Sequence, residues 1–158
     1  MKKFVFSLVF AVILIWALLY LAGQYKSVTQ LAVDNAYIRA VVPGQNTTAA
    51  FLTFSNRGEL DCALLSAESA IAERIEFHTH QHRQNMVKMR PVGRVEVPAG
   101  TTVSFEPGGL HLMFFGVEQS FDHNEAVQIS IHTDRCGLVS FSALVKDMVT
   151  EPMEGMHH

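Results

Sequence analysis

The sequence predicts an all-β protein, an antiparallel β-sandwich of the Ig-like kind behind an N-terminal apolar segment. Three observations predict it: short β-rich segments recur along the chain, Gly, Pro, Asn and Asp separate them, and nothing after the first 25 residues keeps a helical period. About 130 of the 158 residues follow the apolar segment, which fits one domain with an adequate core. With a net charge of −3 the chain has no basic surface that calls for nucleic acid as a partner.

The apolar segment runs from Phe4 to Gly23 without a charged residue and follows two lysines. Its roughly 20 residues match the hydrocarbon thickness of a bilayer, and the lysines predict a cytoplasmic N-terminus with an exported remainder. An uncleaved anchor over residues 1–25 and a signal peptide cleaved near Gly23 both fit. The residues before Gln24 also resemble the start of a lipoprotein box, but Gln24 stands where the lipid-bearing Cys would be.

Residues 26–32 are predicted as a short polar stalk, residues 33–148 as the sandwich domain, and residues 149–158 as a mobile tail. Ten segments of the domain have strand character, with turn signals such as Pro43-Gly44 between them. They are Ala36–Val42, Thr47–Ser55, Cys62–Ser66, Ile75–His82, Met86–Val92, Arg94–Val97, Thr102–Phe105, Leu110–Val117, Ala126–His132 and Gly137–Lys146. Ser69–Arg74 is predicted to form a single helical turn at most.

The two cysteines, Cys62 and Cys136, suit an oxidising compartment. A bridge between them would close a loop of about 75 residues and stabilise the fold by about 4 kcal/mol on the chain-entropy model. Two buried free thiols are the alternative, and the spacing is not that of a Cys-x-x-Cys redox or zinc motif. Both alternatives make the cysteines structural.

Four side chains with soft or borderline donor atoms lie between residues 78 and 113. His111 and Met113 are two apart on a strand and therefore leave the same face, while His78 and Met89 flank the turn of the neighbouring hairpin. Thioether sulfur suits Cu(I), and imidazole serves either oxidation state of copper. The pattern predicts a Cu(I) site with two nitrogen and two sulfur ligands, although the methionines could instead fill the core and the histidines face solvent.

Other histidines and methionines are assigned by position. His82 and Met86 belong to the same hairpin and could contribute to the site, whereas His123 and His132 are predicted to be surface residues.

The spacing of these four residues resembles the signature of the periplasmic PCuAC-type copper chaperones. That signature is a His, ten residues, a Met, twenty-one residues, and then His-x-Met. The resemblance covers about residues 33–147 and includes five sequence segments around these residues and upstream of them. They are Ala36–Ala40, Ala49–Asn56, Lys88–Val92, Pro98–Gly100 and Pro107–Met113.

The resemblance implies a cupredoxin-like sandwich that binds Cu(I) through His78, Met89, His111 and Met113. It also implies a periplasmic chaperone, held at the inner membrane if the N-terminal segment stays uncleaved, that gives copper to an acceptor. The acceptor would be a cytochrome c oxidase subunit, notably its copper A centre, or an assembly factor; buffering of periplasmic copper is the other role. Many family members have Met where this chain has His80, so His80 is a possible further ligand that would favour Cu(II), or else it faces solvent.

The tail contains four further donors, namely Met153, Met156, His157 and His158. It resembles the Met/His-rich extensions that some members of the family use as a second, looser copper site, for either Cu(I) or Cu(II). The alternative is a polar chain end without metal.

Three other function classes fit the sequence less well. An electron-transfer cupredoxin needs a Cys thiolate near His and Met, and Cys136 is followed by Gly-Leu-Val-Ser-Phe-Ser. A zinc hydrolase is disfavoured by two methionines, and no Gly-x-Ser-x-Gly or His-Glu-x-x-His motif occurs, so we expect no enzyme. A β-sandwich that binds a partner without metal is the third class.

Overall fold

The computed structural model of the chain describes residues 15–16, 30–83, 86–117 and 121–147. The signal segment predicted over residues 1–25 lies outside the described residues except at 15–16, and so does the predicted tail. Among the residues that are described, no helix has the length and apolar character needed to cross a membrane.

The described chain forms ten β-strands, and the all-β prediction is confirmed. They are β1 (Leu31–Arg39), β2 (Thr47–Asn56), β3 (Cys62–Glu68), β4 (Arg74–Arg83), β5 (Met86–Val92), β6 (Val95–Val97), β7 (Thr102–Phe105), β8 (His111–Phe115), β9 (Ala126–Thr133) and β10 (Leu138–Lys146).

Seven of these strands form a closed, barrel-like sheet in the order β4-β8-β2-β1-β10-β9-β3, and the pairing of Ala67 with Ile75 joins β3 back to β4. Strand β5 extends the sheet beyond β4, β6 pairs with β3, and β7 pairs with β2. Neighbouring strands are antiparallel as predicted except β1 and β10, which run parallel with Tyr37 opposite Leu144. The two faces of the expected sandwich are therefore parts of one continuous sheet.

The core lies inside the barrel and follows the two-residue period of the strands. Ile38, Phe54, Leu112 and Phe114 are fully buried, and Ile129 and Ile131 on β9 belong to the same core cluster. Because alternate residues on the same strands point outward, β4, β8 and β2 present a second set of side chains on the outer face of the barrel. This outer set includes three of the predicted metal ligands, His78, His111 and Met113, and β5 adds the fourth, Met89, opposite His80.

The first strand differs from its prediction, which was Ala36–Val42. Strand β1 begins at Leu31, inside the range assigned to the stalk, and ends at Arg39. A register shift lies between Asp34 and Tyr37, where Asn35 adopts a left-handed φ of 55°. This bulge interrupts the alternation of apolar and polar residues, so the strand character of the preceding residues is hidden in the sequence.

Cys62 and Cys136 form a disulfide, with their Cα atoms 5.9 Å apart. Cys62 begins β3 and is fully buried, while Cys136 lies in the turn between β9 and β10. The bridge ties this turn to the start of β3, the strand that pairs with β9, and resolves the choice between a disulfide and two free thiols.

Candidate metal centre

Strand register places the predicted ligands on one face of the sheet. His78 lies opposite His111 on β8, and His80 lies opposite Met89 on β5. Met113 is flanked by Glu76 of β4 and Ala49 of β2. Directly opposite residues in an antiparallel pair share a face, so all of these side chains leave the outer face, away from the core.

A cavity of about 430 Å³ opens on this face. Three of the four predicted ligands line it, namely Met89, His111 and Met113. His80 also lines the cavity, although it is not one of the four predicted ligands. The remaining wall comes from the end of β1, the β1–β2 connection, β2 and the turn before β8, namely Arg39, Ala40, Val42, Gln45, Thr47, Thr48, Ala49, Phe51, Pro107 and Gly108. His78 stands beside the cavity rather than in its wall, with its ring centroid 6.0 Å from that of His111.

Access to the donor atoms differs across the cavity. His111 is only 3% exposed, whereas Met89 is 51% exposed. The imidazole therefore lies at the floor and one thioether lies at the rim.

The turn before β8 holds two of the imidazoles. Nδ1–H of His111 donates to the carbonyl oxygen of Gly109 at 3.0 Å, and Nδ1 of His80 lies 3.4 Å from the same oxygen. Because a carbonyl oxygen only accepts, these contacts place the proton of each neutral ring on Nδ1 and leave the Nε2 lone pair free. The turn itself is closed by a hydrogen bond from the amide of Glu106 to the carbonyl of Leu110, and Gly108 has a left-handed φ of 81°.

The environment of His111 favours the neutral ring. Burial is the main cause that lowers its pKa below the usual value, and the nearby His80, His78 and Arg39 act in the same direction against the hydrogen bond to Gly109. A neutral imidazole is the form that binds metal. The floor of the cavity thus offers a nitrogen donor without prior loss of a proton.

His78 has a different partner. Its Nε2 lies 2.8 Å from Oε2 of Glu76, whose other oxygen is 2.7 Å from Nε of Arg74. The Arg74 guanidinium stacks 4.5 Å above the ring of Phe115, and that ring lies 6.0 Å from the His78 ring. The hydrogen bond with His78 is the largest cause of a lowered Glu76 pKa, so this carboxylate stays ionised.

Sequence reasoning missed Glu76, Gly109 and Arg39 as members of this region. Glu76 alternates with His78 on the same strand, and Gly109 belongs to the turn two residues before His111, so both had a local signal. Arg39 had none, because its place over the ring of Phe51, 5.0 Å from the centroid, depends on the pairing of β1 with β2.

The remaining predicted residues are placed as follows. His123 and His132 are exposed and face Asp147 and Glu68, as expected of surface residues. The side chains of His82 and Met86, and the four tail donors, lie outside the described residues.

Two observations bear on the alternative functions. Both cysteines of the chain are in the disulfide, so neither offers the thiolate that an electron-transfer cupredoxin needs. Within the ranges that the structure describes, no group of three or more His, Cys, Asp and Glu side chains could hold a metal ion. The side chains with metal-binding donor atoms that line the cavity are the imidazoles of His80 and His111 and the thioethers of Met89 and Met113.

Comparison with known proteins gives a family and a fold. The model of the LpqE-like family, described as "Putative lipoprotein LpqE-like", matches residues 31–145. A protein of Leifsonia xyli subsp. xyli, named "Putative lipoprotein Lxx21020", is 24% identical over 123 residues, which are 77% of this chain and 73% of that protein.

Solved structures confirm the predicted resemblance to PCuAC domains and the cupredoxin-like β fold. The solution structure of Cu(I)-bound DR1885 from Deinococcus radiodurans is 26% identical with a TM-score of 0.62, covering 81% of this chain and 87% of that one. The copper-bound PCuAC domain from PmoF2 is 17% identical with a TM-score of 0.64, covering 75% of this chain and 93% of that one.

Proposed function

The chain belongs to the LpqE-like family, a PCuAC-like family, and from this premise we propose that it is an exported copper carrier that binds Cu(I) on the outer face of its barrel. One observation carries the proposal: the thioethers of Met89 and Met113 line the same cavity as the imidazole of His111. The related DR1885 structure contains Cu(I), which supports the choice of ion.

The donor set suits Cu(I) by charge and by softness. Two thioethers and two neutral imidazoles bring no negative charge, so they fit a monovalent ion better than a divalent one, and thioethers bind hard cations poorly. The fourth ligand comes from β4, where the sequence spacing predicts His78. Thioethers do not form disulfides, so such a site persists in an oxidising compartment, where the chain keeps its own cysteines bridged.

A carrier must also release its ion. Met89 is half exposed at the rim, so we expect an acceptor's ligand to replace this thioether first, while the buried His111 leaves last. Copper transfer would then proceed by stepwise ligand exchange and needs no catalytic step, so we assign no enzymatic activity. The proposed acceptor is a cytochrome c oxidase subunit, at its copper A centre, or an assembly factor for it.

The proposed location is the outer side of the inner membrane, in the periplasm. The relatives are described as lipoproteins, which supports export and membrane attachment. In this chain Gln24 occupies the position of a lipid-bearing Cys, and both cysteines are in the disulfide. Attachment would therefore use the apolar segment within residues 1–25.

We extend the proposal to two finer points. His80 adds an imidazole in the cavity wall, which would allow the site to retain Cu(II). Met153, Met156, His157 and His158 would hold a second, weaker equivalent of copper, which a chain shortened before Met153 would lose while keeping the first.

The direct test is removal of one sulfur without loss of volume. Met113→Leu keeps the side-chain size but has no soft donor, so we expect it to weaken Cu(I) binding at least about 10-fold, the equivalent of about 1.4 kcal/mol. The measurement is an anaerobic competition titration of the full chain against a Cu(I) chelator. His123→Gln, at an exposed histidine that does not line the cavity, is the control and should bind as the unsubstituted chain does. Equal affinity of Met113→Leu and the unsubstituted chain would contradict the proposal.

A further inference from the structure

Among the described residues that line the cavity of the proposed copper site, Arg39 alone carries a fixed charge. A guanidinium in this wall repels any metal ion, so it lowers the affinity of the site. We propose that Arg39 is a selectivity residue, whose charge opposes Cu(II) about twice as strongly as Cu(I) and so favours the monovalent ion. This inference rests on the proposed function and gives a role to a residue that is not a ligand.

The fold holds the Arg39 side chain in the cavity wall. Arg39 is the last residue of β1, and the hydroxyl of Thr48 on β2 donates to its carbonyl oxygen at 2.6 Å. Its guanidinium carbon lies 5.0 Å from the centroid of the Phe51 ring, and that ring lies 6.3 Å from the ring of His111. The cation therefore stacks on the aromatic side chain that neighbours the nitrogen donor at the floor of the cavity.

The charge of Arg39 is not neutralised by any carboxylate that the structure describes. The described ion pairs include Arg74 with Glu76 on the same outer face, but none includes Arg39. Burial is the main cause of the lowered pKa of His111, and the positive charge of Arg39 is among those that add to it. The guanidinium thus acts on the floor of the cavity as an uncompensated cation.

The repulsion depends on the charge of the bound ion. Coulomb energy scales with the product of the two charges, so removal of the Arg39 charge should raise the Cu(II) binding constant by about the square of the factor for Cu(I). A sphere of the cavity's volume, 430 Å³, is about as wide as the Debye length of about 8 Å at physiological ionic strength, so solvent ions screen the charge only in part. Arg39 therefore works against the Cu(II) that His80 would help to retain.

Two variants of the full chain, Arg39→Gln and Arg39→Lys, separate the charge from the packing. Both alter the contact with Phe51, but only Lys keeps the positive charge. Competition titrations with a Cu(I) chelator, without oxygen, and with a Cu(II) chelator give the two affinities. Arg39→Gln should raise the ratio of Cu(II) to Cu(I) affinity at least about threefold, while Arg39→Lys should keep the ratio of the unsubstituted chain.

Voltammetry of the copper-loaded chain measures the same preference independently. A threefold change in the ratio lowers the reduction potential by about 28 mV, at about 59 mV per tenfold for one electron. Arg135→Gln, which removes the same charge from an exposed side chain in the turn between β9 and β10, is the control and should leave the potential unchanged.

An unchanged ratio in Arg39→Gln would overturn the inference. An equal rise in Arg39→Lys would also overturn it, because lost packing over Phe51 would then explain the effect. Where the unsubstituted chain retains no Cu(II), Arg39→Gln should gain Cu(II) binding, and no gain would overturn the inference too. If Met113→Leu binds Cu(I) weakly while Arg39→Gln leaves the ratio unchanged, only this inference fails; if Met113→Leu binds normally, the proposed function itself fails.

Discussion

Asn56 shows at the scale of a single residue how one buried amide organises a corner of the fold. Its side chain is 2% exposed at the end of β2. Nδ2 donates to the carbonyl oxygens of Leu60 at 2.7 Å and Val97 at 3.0 Å, and Oδ1 accepts from the amide of Gly58 at 3.0 Å. One side chain thus satisfies three backbone groups that belong to the chain after β2 and to β6.

Replacing this residue should be costly. Asn56→Ala leaves buried backbone groups without partners, so we expect the free energy of unfolding to fall by about 2–4 kcal/mol. Urea unfolding followed by circular dichroism measures it. Asn46→Ala, at an exposed asparagine, is the matched control and should change stability by less than about 0.5 kcal/mol. A loss at Asn56 no larger than at Asn46 would contradict this account.

The sequence identifies Asn56 only as a turn residue, and the same limit applies at the site. Residue chemistry predicts which side chains suit copper, and three of the four line the cavity. The hydrogen bonds of the histidines, from His80 and His111 to the carbonyl oxygen of Gly109 and from His78 to the carboxylate of Glu76, depend on ring orientation. Ring orientation follows from packing between strands and has no signature in residue types.

The turn between β9 and β10 is the element that ties the barrel together on the side away from the cavity. The Asp134 carboxylate accepts from the amide of Ala63 on β3 at 2.9 Å and pairs with Arg94, just before β6, at 2.8 Å. The hydrogen bond from Ala63 is the largest cause of a pKa below the usual 3.8. Two residues later Cys136 bridges the turn to Cys62.

This lowered pKa predicts how the stability of the turn depends on pH. Because the folded state favours the carboxylate, Asp134 contributes stability above pH 3.8, and that contribution is lost as pH falls through its lower folded-state pKa. Asp134→Asn should therefore be less stable than the unsubstituted chain at pH 7. The difference should shrink as the pH is lowered below 3.8.

Urea midpoints at several pH values between 7 and 3 measure this effect. A difference between the two chains that is constant over the whole range would contradict the assigned role of Asp134.

Element boundaries were predictable where turn residues punctuate the chain. Strands β5 and β7 agree with their predicted bounds, because strong turn signals adjoin them. Strand β1 does not, since the bulge at Asn35 breaks its alternation. The parallel contact of β1 with β10 had no local signal, because it joins residues more than 100 positions apart.

In the molecule as a whole, the core and the candidate site occupy opposite faces of the same three strands. Phe77, Ala50 and Leu112 point into the barrel, while His78, Ala49 and Met113 alternate with them on the outside. Donors on the outer face can be changed without opening the core, which fits a protein whose site must exchange its ion with a partner. The sequence predicted this face from alternation on β4 and β8. The pairing of β8 with β2 extends the face, and the β1–β2 connection lines the cavity on it.

The central claim is that sulfur and nitrogen from β4, β5 and β8 meet at one copper ion, and X-ray absorption on the full chain tests it most directly. With the first equivalent of Cu(I), added without oxygen, the account predicts a mixed first shell of about two sulfurs and two nitrogens. A shell made only of nitrogen and oxygen would contradict it.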